Sequence, residues 1–544
     1  MPLVGRIVSA AMGIRATTES TLAKNGGSER ADTRGSRHWV GVGALTALVA
    51  VGYSVFALAQ NYTYKTSSYD LVIFDEAVRS YAHFHDGISV IKGVHNGFGP
   101  NFSVLGDHWS PILASLAPLY WIYDSPDTLL VAQAVLFALA IPPLWMFTRR
   151  AFGGGRNATI AAYLVAVAYT LSWPIASALA FDFHEVAFAP VLIAVALERL
   201  QAGRLRTALI ALAALLLVKE DMGLLVAGIG LYLAVSRPRV VPRQLLVGVI
   251  LIAAGLVDTV VTTYFLIPAF GGRSDYYWAY TALGPHAPQA LEHLITHPIS
   301  SLELLVTPRV KLVTMLWLFG AFCFLPLRSP IALATIPLLL ERMLANLFPN
   351  WWVTAFQYNA YLVVILVCAA VDGAVRLDGD LSHARHRAAQ AVQPAVRRAG
   401  AFALGCAAAM CAVAVALVPH FAFGAALHPN FYRQDRQVKA AAAAVAVVPS
   451  GVTVEAVNFL GPHLSARDTV LLWDGDGYTN PYAAPWVIAN DRELQFTFHS
   501  VQEQQQRIAL LEQHGYRVVF RRGGYLVLHR PGGTGPLASP TKAS

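Results

Sequence analysis

The basic residues of this chain sort by side. Runs of roughly 20 apolar residues recur, each long enough to cross about 30 Å of hydrocarbon. Clusters of Lys and Arg fall in every second gap between these runs. Acidic and histidine-containing motifs fall in the other gaps. Positive charge is retained on the cytoplasmic face, so the alternation predicts a polytopic membrane protein with its polar chemistry on the outer face. Of 544 residues, 56% are hydrophobic and 13% charged, against about 25% charged in an ordinary soluble domain. The net charge of +8 does not indicate nucleic acid, because Lys and Arg are dispersed over short loops rather than gathered into a patch. Four cysteines (Cys323, Cys368, Cys406 and Cys411) lie inside apolar runs and read as buried free thiols, with no disulfide framework or zinc spacing.

The pattern predicts a mainly α fold: a bundle of about 11 spans followed by a small outer α/β domain. Residues 1–38 read as a disordered basic cytoplasmic tail without a cleavable signal. Residues 39–420 read as the transmembrane domain, with a long first outer loop over 61–127. The expected spans are 39–60, 128–147, 158–178, 186–197, 205–218, 222–235, 245–267, 312–327, 331–347, 361–375 and 402–418. Several are short, so Lys219-Glu220-Asp221, between the fifth and sixth, is expected slightly inside the membrane surface. A single helix over 205–235 is disfavoured, because it would run about 45 Å and place basic clusters on both faces.

Residues 421–531 differ in composition. An Ala-rich helix (433–447) precedes a strand over 452–457. Further strands are expected at 470–473, 486–489, 517–520 and 525–529, with a helix at 501–513. Arg521-Arg522-Gly523-Gly524 reads as a hairpin turn. This alternation predicts a small extracytoplasmic α/β domain. Residues 532–544 read as a disordered tail.

Four motifs fall on the outer side. Asp70-Leu-Val-Ile-Phe-Asp75 opens a helix on which Asp75, Arg79 and His83 share a side. The bland alternative is a helix capped by Asp70 with an Asp75–Arg79 surface pair. In Gly106-Asp107-His108-Trp109-Ser110-Pro111, Ser110 and Pro111 read as an N-cap and first helical position, placing Asp107 and His108 at a helix entrance. The bland alternative is a turn. Asp182 and His184 point the same way if their segment is extended, a pair suited to a hard divalent cation or to a base and its orienter. Lys219-Glu220-Asp221 is the fourth cluster. Charge at that depth is costly unless paired, and Asp182 is the expected partner of Lys219; a purely structural ion pair is the bland alternative.

These runs, with Phe181-Asp-Phe-His-Glu185, Val218-Lys-Glu-Asp-Met-Gly223, Asn346-Leu-Phe-Pro-Asn350, Gln357-Tyr358-Asn359-Ala360 and Asn458-x-x-x-Pro462-His463-Leu464-Ser465-x-Arg467, resemble an uncharacterised family of predicted bacterial and archaeal membrane proteins. The resemblance runs in order from about Ser68 to Trp473. Glu76, where glutamine is usual, and Val186, where proline tends to fall nearby, depart from the pattern. That family resembles the GT-C glycosyltransferases, which use lipid-phosphate sugars at the outer membrane face and carry an essential acid after the first span. The resemblance implies Asp75 as general base, with Asp70 the next candidate. It implies Asp107, His108, Asp182, His184, Glu185, Lys219, Glu220, Asp221, Tyr358 and Asn359 as substrate contacts. Asp75, Asp182 and His184 are the implied ligands of Mg²⁺ or Mn²⁺.

The leading expectation is therefore a plasma-membrane glycosyltransferase. It would move a sugar from a polyprenyl-phosphate donor to a glycan, lipid or protein acceptor outside the cell. No nucleotide-binding fingerprint is present: Gly153-Gly154-Gly155 is a short turn. A transporter or lipid flippase competes, and would need charged sites near the midplane and an internal repeat; none is evident in the sequence. A non-catalytic envelope protein is the third reading.

Overall fold

The computed structural model describes residues 33–237, 239–388, 395–474 and 484–531. The tails expected before residue 33 and after 531 lie outside them. Two compact units are distinguished, Met1–Ala47 and Leu48–Ser544. The described part of the first is the beginning of a helix, Thr33–Tyr62. That helix starts six residues before the expected first span, so residues 33–38 are helical rather than tail. Apart from the start of that helix, everything described below belongs to the second unit.

Among the described residues, six helices are long and apolar enough to cross a membrane: His38–Tyr62, Asp127–Ala151, Gly155–Ala180, Gln244–Ala269, Gln357–Leu381 and Ala401–His420. They coincide with six of the eleven expected spans. The other five are shorter than these six helices. The fourth is Phe188–Gln201, and the fifth and sixth are Leu205–Leu215 and Met222–Val235. The eighth is Val310–Gly320, and the ninth joins a 3₁₀ turn (Pro330–Thr335) to a helix (Ile336–Leu344). An 11-residue helix rises only about 16 Å, about half the hydrocarbon thickness. Helix length alone therefore does not carry a count of eleven.

Helix Ala360–Ala388 forms the centre, with every residue from Ala360 to Val371 buried. Such a segment is apolar on all sides because other helices surround it. Helices Met222–Val235 and Gln244–Val261 approach through glycine. A Cβ on Gly223 would stand 2.4 Å from the Gly255 carbonyl oxygen, and one on Gly230 would stand 2.6 Å from that of Gly248. Small residues at these crossings let the backbones touch.

Two cations brace the segment that leads into the central helix. The ammonium of Lys311, fully buried, donates to the carbonyls of Leu304, Met343 and Ala345 at 2.7–2.8 Å. Arg342 donates to the carbonyls of Trp351 and Tyr358 and to Asn359 Oδ1. Backbone carbonyls at irregular chain ends would otherwise be buried without donors.

The carboxyl-terminal part carries a five-stranded sheet: β1 (Thr453–Ala456), β2 (Thr469–Leu472), β3 (Trp486–Asn490), β4 (Arg517–Arg522) and β5 (Tyr525–His529). Its order is β2-β1-β3-β5-β4. Strand β1 runs parallel to β2 and β3, while β5 runs antiparallel to β3 and β4. Gly523 and Gly524, at φ +60° and +89°, turn β4 into β5 with the positive dihedrals that a two-residue hairpin requires. Helices Arg436–Val447 and Val501–Gln513 complete this part. All five strands and both helices lie where the sequence pattern places them, within a few residues.

Candidate functional site

The site is built around one turn. After helix Thr33–Tyr62 the chain reaches Ser68–Val72, where Tyr69 and Asp70 break from helical dihedrals before helix Ile73–Ala82 begins. Asp70 is therefore not a helix cap; it sits in the break itself. Its Oδ1 lies 3.4 Å from His184 Nε2, and the carboxylate remains about a quarter exposed. His184 is buried between Phe181, stacked at 5.3 Å, and Phe74, edge-on at 5.6 Å. Its Nδ1 has no hydrogen-bond partner among the described residues.

Asp182 and His184 do not point the same way. Asp182 takes a left-handed conformation, φ +53°, which aspartate tolerates better than most residues. The segment is therefore not extended. The turn sends the Asp182 carboxylate to Ser67, whose backbone N–H and hydroxyl donate to Oδ2 at 2.9 and 2.5 Å. Gln133 clamps the same turn: it donates to the Asp182 carbonyl and accepts from the His184 N–H. Asp182 thus holds the base of the Asp70 turn, and His184 touches its tip.

Lys219 pairs with Glu185 rather than with the expected Asp182, at 3.0 Å. Glu185 opens a 3₁₀ turn, Glu185–Ala187, and is almost fully buried. Burial opposes its charge, but Lys219, His108 and His184 more than offset this and hold its carboxyl below the usual range. Glu220 reaches the other way. It receives Nδ1 of His108 at 2.7 Å and the backbone N–H of Trp109 at 3.1 Å. Asp221 precedes helix Met222–Val235, and its Oδ1 finds no hydrogen-bond partner among the described residues. Tyr358 lies within electrostatic reach of Lys219, Asp70 and Glu185. Asn359 is buried and held by Arg342.

Asp107 belongs to a neighbouring group. Lys92 stands 2.9 Å from it, and the Tyr277 hydroxyl donates to it at 2.7 Å. Burial opposes the Asp107 charge, yet Lys92 and His108 keep its carboxyl below the ordinary value. Lys92 is nearly buried among the rings of Tyr69, Tyr276 and Tyr277, and its pairing with Asp107 overrides the cost of burying its charge. Ser110 makes no capping bond; its hydroxyl donates to the His108 carbonyl.

Asp75 is separate from these groups and has no exposed side-chain area. Arg79 grips both of its oxygens, at 2.8 and 2.9 Å, and the Tyr120 hydroxyl donates at 2.7 Å. A base must reach the proton that it takes, so this enclosure withdraws Asp75 from contact with a substrate and gives it to the framework. The expected metal trio fares likewise. Among the described residues, no group of three or more His, Cys, Asp or Glu is placed to hold a metal ion. The oxygens of Asp75 are taken by Arg79 and Tyr120, and Oδ2 of Asp182 by Ser67. Asp75, Asp182 and His184 therefore do not fit Mg²⁺ or Mn²⁺.

Sequence reasoning missed Lys92, Gln133 and Ser67, and gave Asn458 as part of a tail motif without a role. A lone Lys in a short polar helix, or a lone Gln in an apolar run, carries no spacing signal. Gln133 does stand out as a polar residue inside a span.

Buried acids make stability depend on pH, Asp182 and Glu76 among them. Burial raises Asp182 to about 7, and it raises Glu76, which accepts from Ser89 and Ile91, to about 7. Each folded value lies above its unfolded one, so the stabilisation is complete below about pH 4 and is lost as pH rises through 7. The melting midpoint in detergent is expected to fall between about pH 5 and about pH 8. The combined Asp182→Asn and Glu76→Gln changes should flatten that slope. An unchanged slope in the double variant would count against the assignment.

A family model described as predicted membrane protein (DUF2079) matches residues 60–527. No curated protein matches the chain. Among solved structures it is similar to the crystal structure of ArnT from Cupriavidus metallidurans bound to undecaprenyl phosphate. The identity is 13%, over 92% of this chain and 99% of that one, with a TM-score of 0.49.

Proposed function

The chain belongs to the DUF2079 family of predicted membrane proteins, and on that footing we propose that it is a GT-C-like membrane glycosyltransferase. It moves a sugar from a polyprenyl-phosphate donor to an acceptor outside the cell. The observation that carries this reading is Asp70: a partly exposed carboxylate in a chain break, touched by His184, with Tyr358 within electrostatic reach of both Asp70 and Lys219. A general base needs that combination of access and fixed orientation. Asp70 takes the proton of the acceptor hydroxyl. The acceptor oxygen forms a bond to the anomeric carbon, and the bond from that carbon to the phosphate oxygen breaks. The polyprenyl phosphate leaves with the electron pair. His184 orients Asp70, and Lys219 lends positive potential to the departing phosphate. Asp107 and His108, tied through Lys92 and Glu220, line the approach.

The basic gaps support a reading with the amino terminus in the cytoplasm and the sheet outside. Gln506, on helix Val501–Gln513, is exposed. Gln506→Cys in spheroplasts should react with an impermeant maleimide before lysis, and labelling only after lysis overturns the orientation. The activity is tested in proteoliposomes with radiolabelled polyprenyl-phosphate hexoses and pentoses plus an envelope extract. Label should leave at least one donor only when the protein is present. Donor consumption equal to that of protein-free vesicles throughout would reject the proposal.

A further inference from the structure

The Asp70 turn is held from outside the helical bundle. Asn458 follows β1, in the part of the chain that carries the sheet. Its carbonyl accepts from both the backbone N–H and the hydroxyl of Ser68, each at 2.7 Å. Its side-chain Oδ1 accepts from the Tyr69 N–H at 2.9 Å. These three bonds fall on the two residues just before Asp70, at the point where Tyr69 and Asp70 leave the helix.

The surroundings press the two parts together. A Cβ on Gly461 would stand 2.0 Å from the Ser68 hydroxyl, so only glycine lets the chain after Asn458 lie against Ser68. His463 stacks on Tyr64 at 3.7 Å. Next to Tyr69, Phe496 packs at 5.9 Å, and His95 pairs with Asp474 at 3.0 Å. A chain break that exposes backbone donors needs fixed acceptors to keep one conformation. Within the Asp70 turn, Ser67 is held by Asp182, and Ser68 and Tyr69 by Asn458.

We infer that Asn458 is a positioning residue for Asp70: the carboxyl-terminal part completes the site by fixing the turn that carries the base. The inference rests on the reading of Asp70 given under Proposed function. It predicts that the helical part alone, even if folded, holds Asp70 loosely. Misplacement of a reacting group by about 1 Å costs on the order of 10²-fold in rate.

The test compares Asn458→Ala with Asn458→Asp, which keeps an acceptor oxygen at the same place. Three quantities are read on full-length protein: amide hydrogen exchange over 66–74, donor transfer with kcat and KM separated, and the melting midpoint. In Asn458→Ala, which keeps the backbone carbonyl and removes the Oδ1 acceptor of the Tyr69 N–H, exchange at Tyr69 should rise at least tenfold while other segments keep their rates. Transfer should fall roughly 10- to 100-fold in kcat with KM for the donor unchanged. Asn458→Asp should restore both. Unchanged exchange in Asn458→Ala overturns the inference whatever the activity. Raised exchange with full transfer, in a protein that Asp70→Asn inactivates, overturns the positioning role and leaves the function standing. Full transfer by Asp70→Asn removes the premise instead. A general fall in midpoint with exchange raised throughout also overturns it, because that is a structural role.

Discussion

Asp70→Asn is expected to lower sugar transfer by roughly 10²–10⁴-fold, the usual worth of a general base, while leaving donor binding and the melting midpoint in place. The amide has the shape of the carboxylate and retains an oxygen toward His184, but it does not take a proton from the acceptor hydroxyl at neutral pH. The carboxylate is partly open to solvent and stands 3.4 Å from His184, so little of the fold depends on its charge. Asp75→Asn is the contrasting variant. Its carboxylate is enclosed and binds Arg79 through both oxygens, so its loss should lower the midpoint. Transfer measured at saturating donor, beside thermal unfolding in detergent, separates the two. Full transfer by Asp70→Asn would remove it as the base.

Lys219→Met should cost about 3–5 kcal/mol of stability, the range for stripping one partner from a buried ion pair. The reason is Glu185, which is almost entirely buried and has Lys219 as its paired cation at 3.0 Å. Without the ammonium, Glu185 must either stay charged in a poor dielectric or take up a proton. Glu185→Gln in the same chain should recover much of the loss, because two neutral groups carry no desolvated charge. A double-mutant cycle on the unfolding midpoint reads the coupling between them. If Lys219→Met melts with the parent protein, the pair is not what secures this turn. If transfer is lost without a change in midpoint, Lys219 acts on the phosphate rather than on the fold.

The sequence by itself determined everything that depends on local pattern. Apolar runs marked the six long helices, since about 20 residues without charge have few other uses. Alternation marked the strands, and Gly523-Gly524 marked the hairpin, because only a local backbone requirement is involved. Four outer motifs were legible as polar residues that apolar surroundings make costly, and the structure links all four through three pairs: Asp70 with His184, Glu185 with Lys219, and His108 with Glu220.

Tertiary structure decided which partner each charge took. Lys219 stands against Glu185 and not Asp182, because the left-handed turn at Asp182 rotates that carboxylate toward Ser67. Asp70 and Asp75 look alike along the chain, five residues apart. One is left open in a break and the other is closed in by Arg79 and Tyr120, which is a matter of what packs over each. Lys92 had no signal, and Asn458 stood in a tail motif that named no partner for it. Lys92 meets Asp107 across 15 residues, and Asn458 meets Ser68 across 390. Periodicity reports which face of an element is apolar. It does not report which distant segment arrives to satisfy a backbone N–H, and here that arrival is what fixes the turn bearing Asp70.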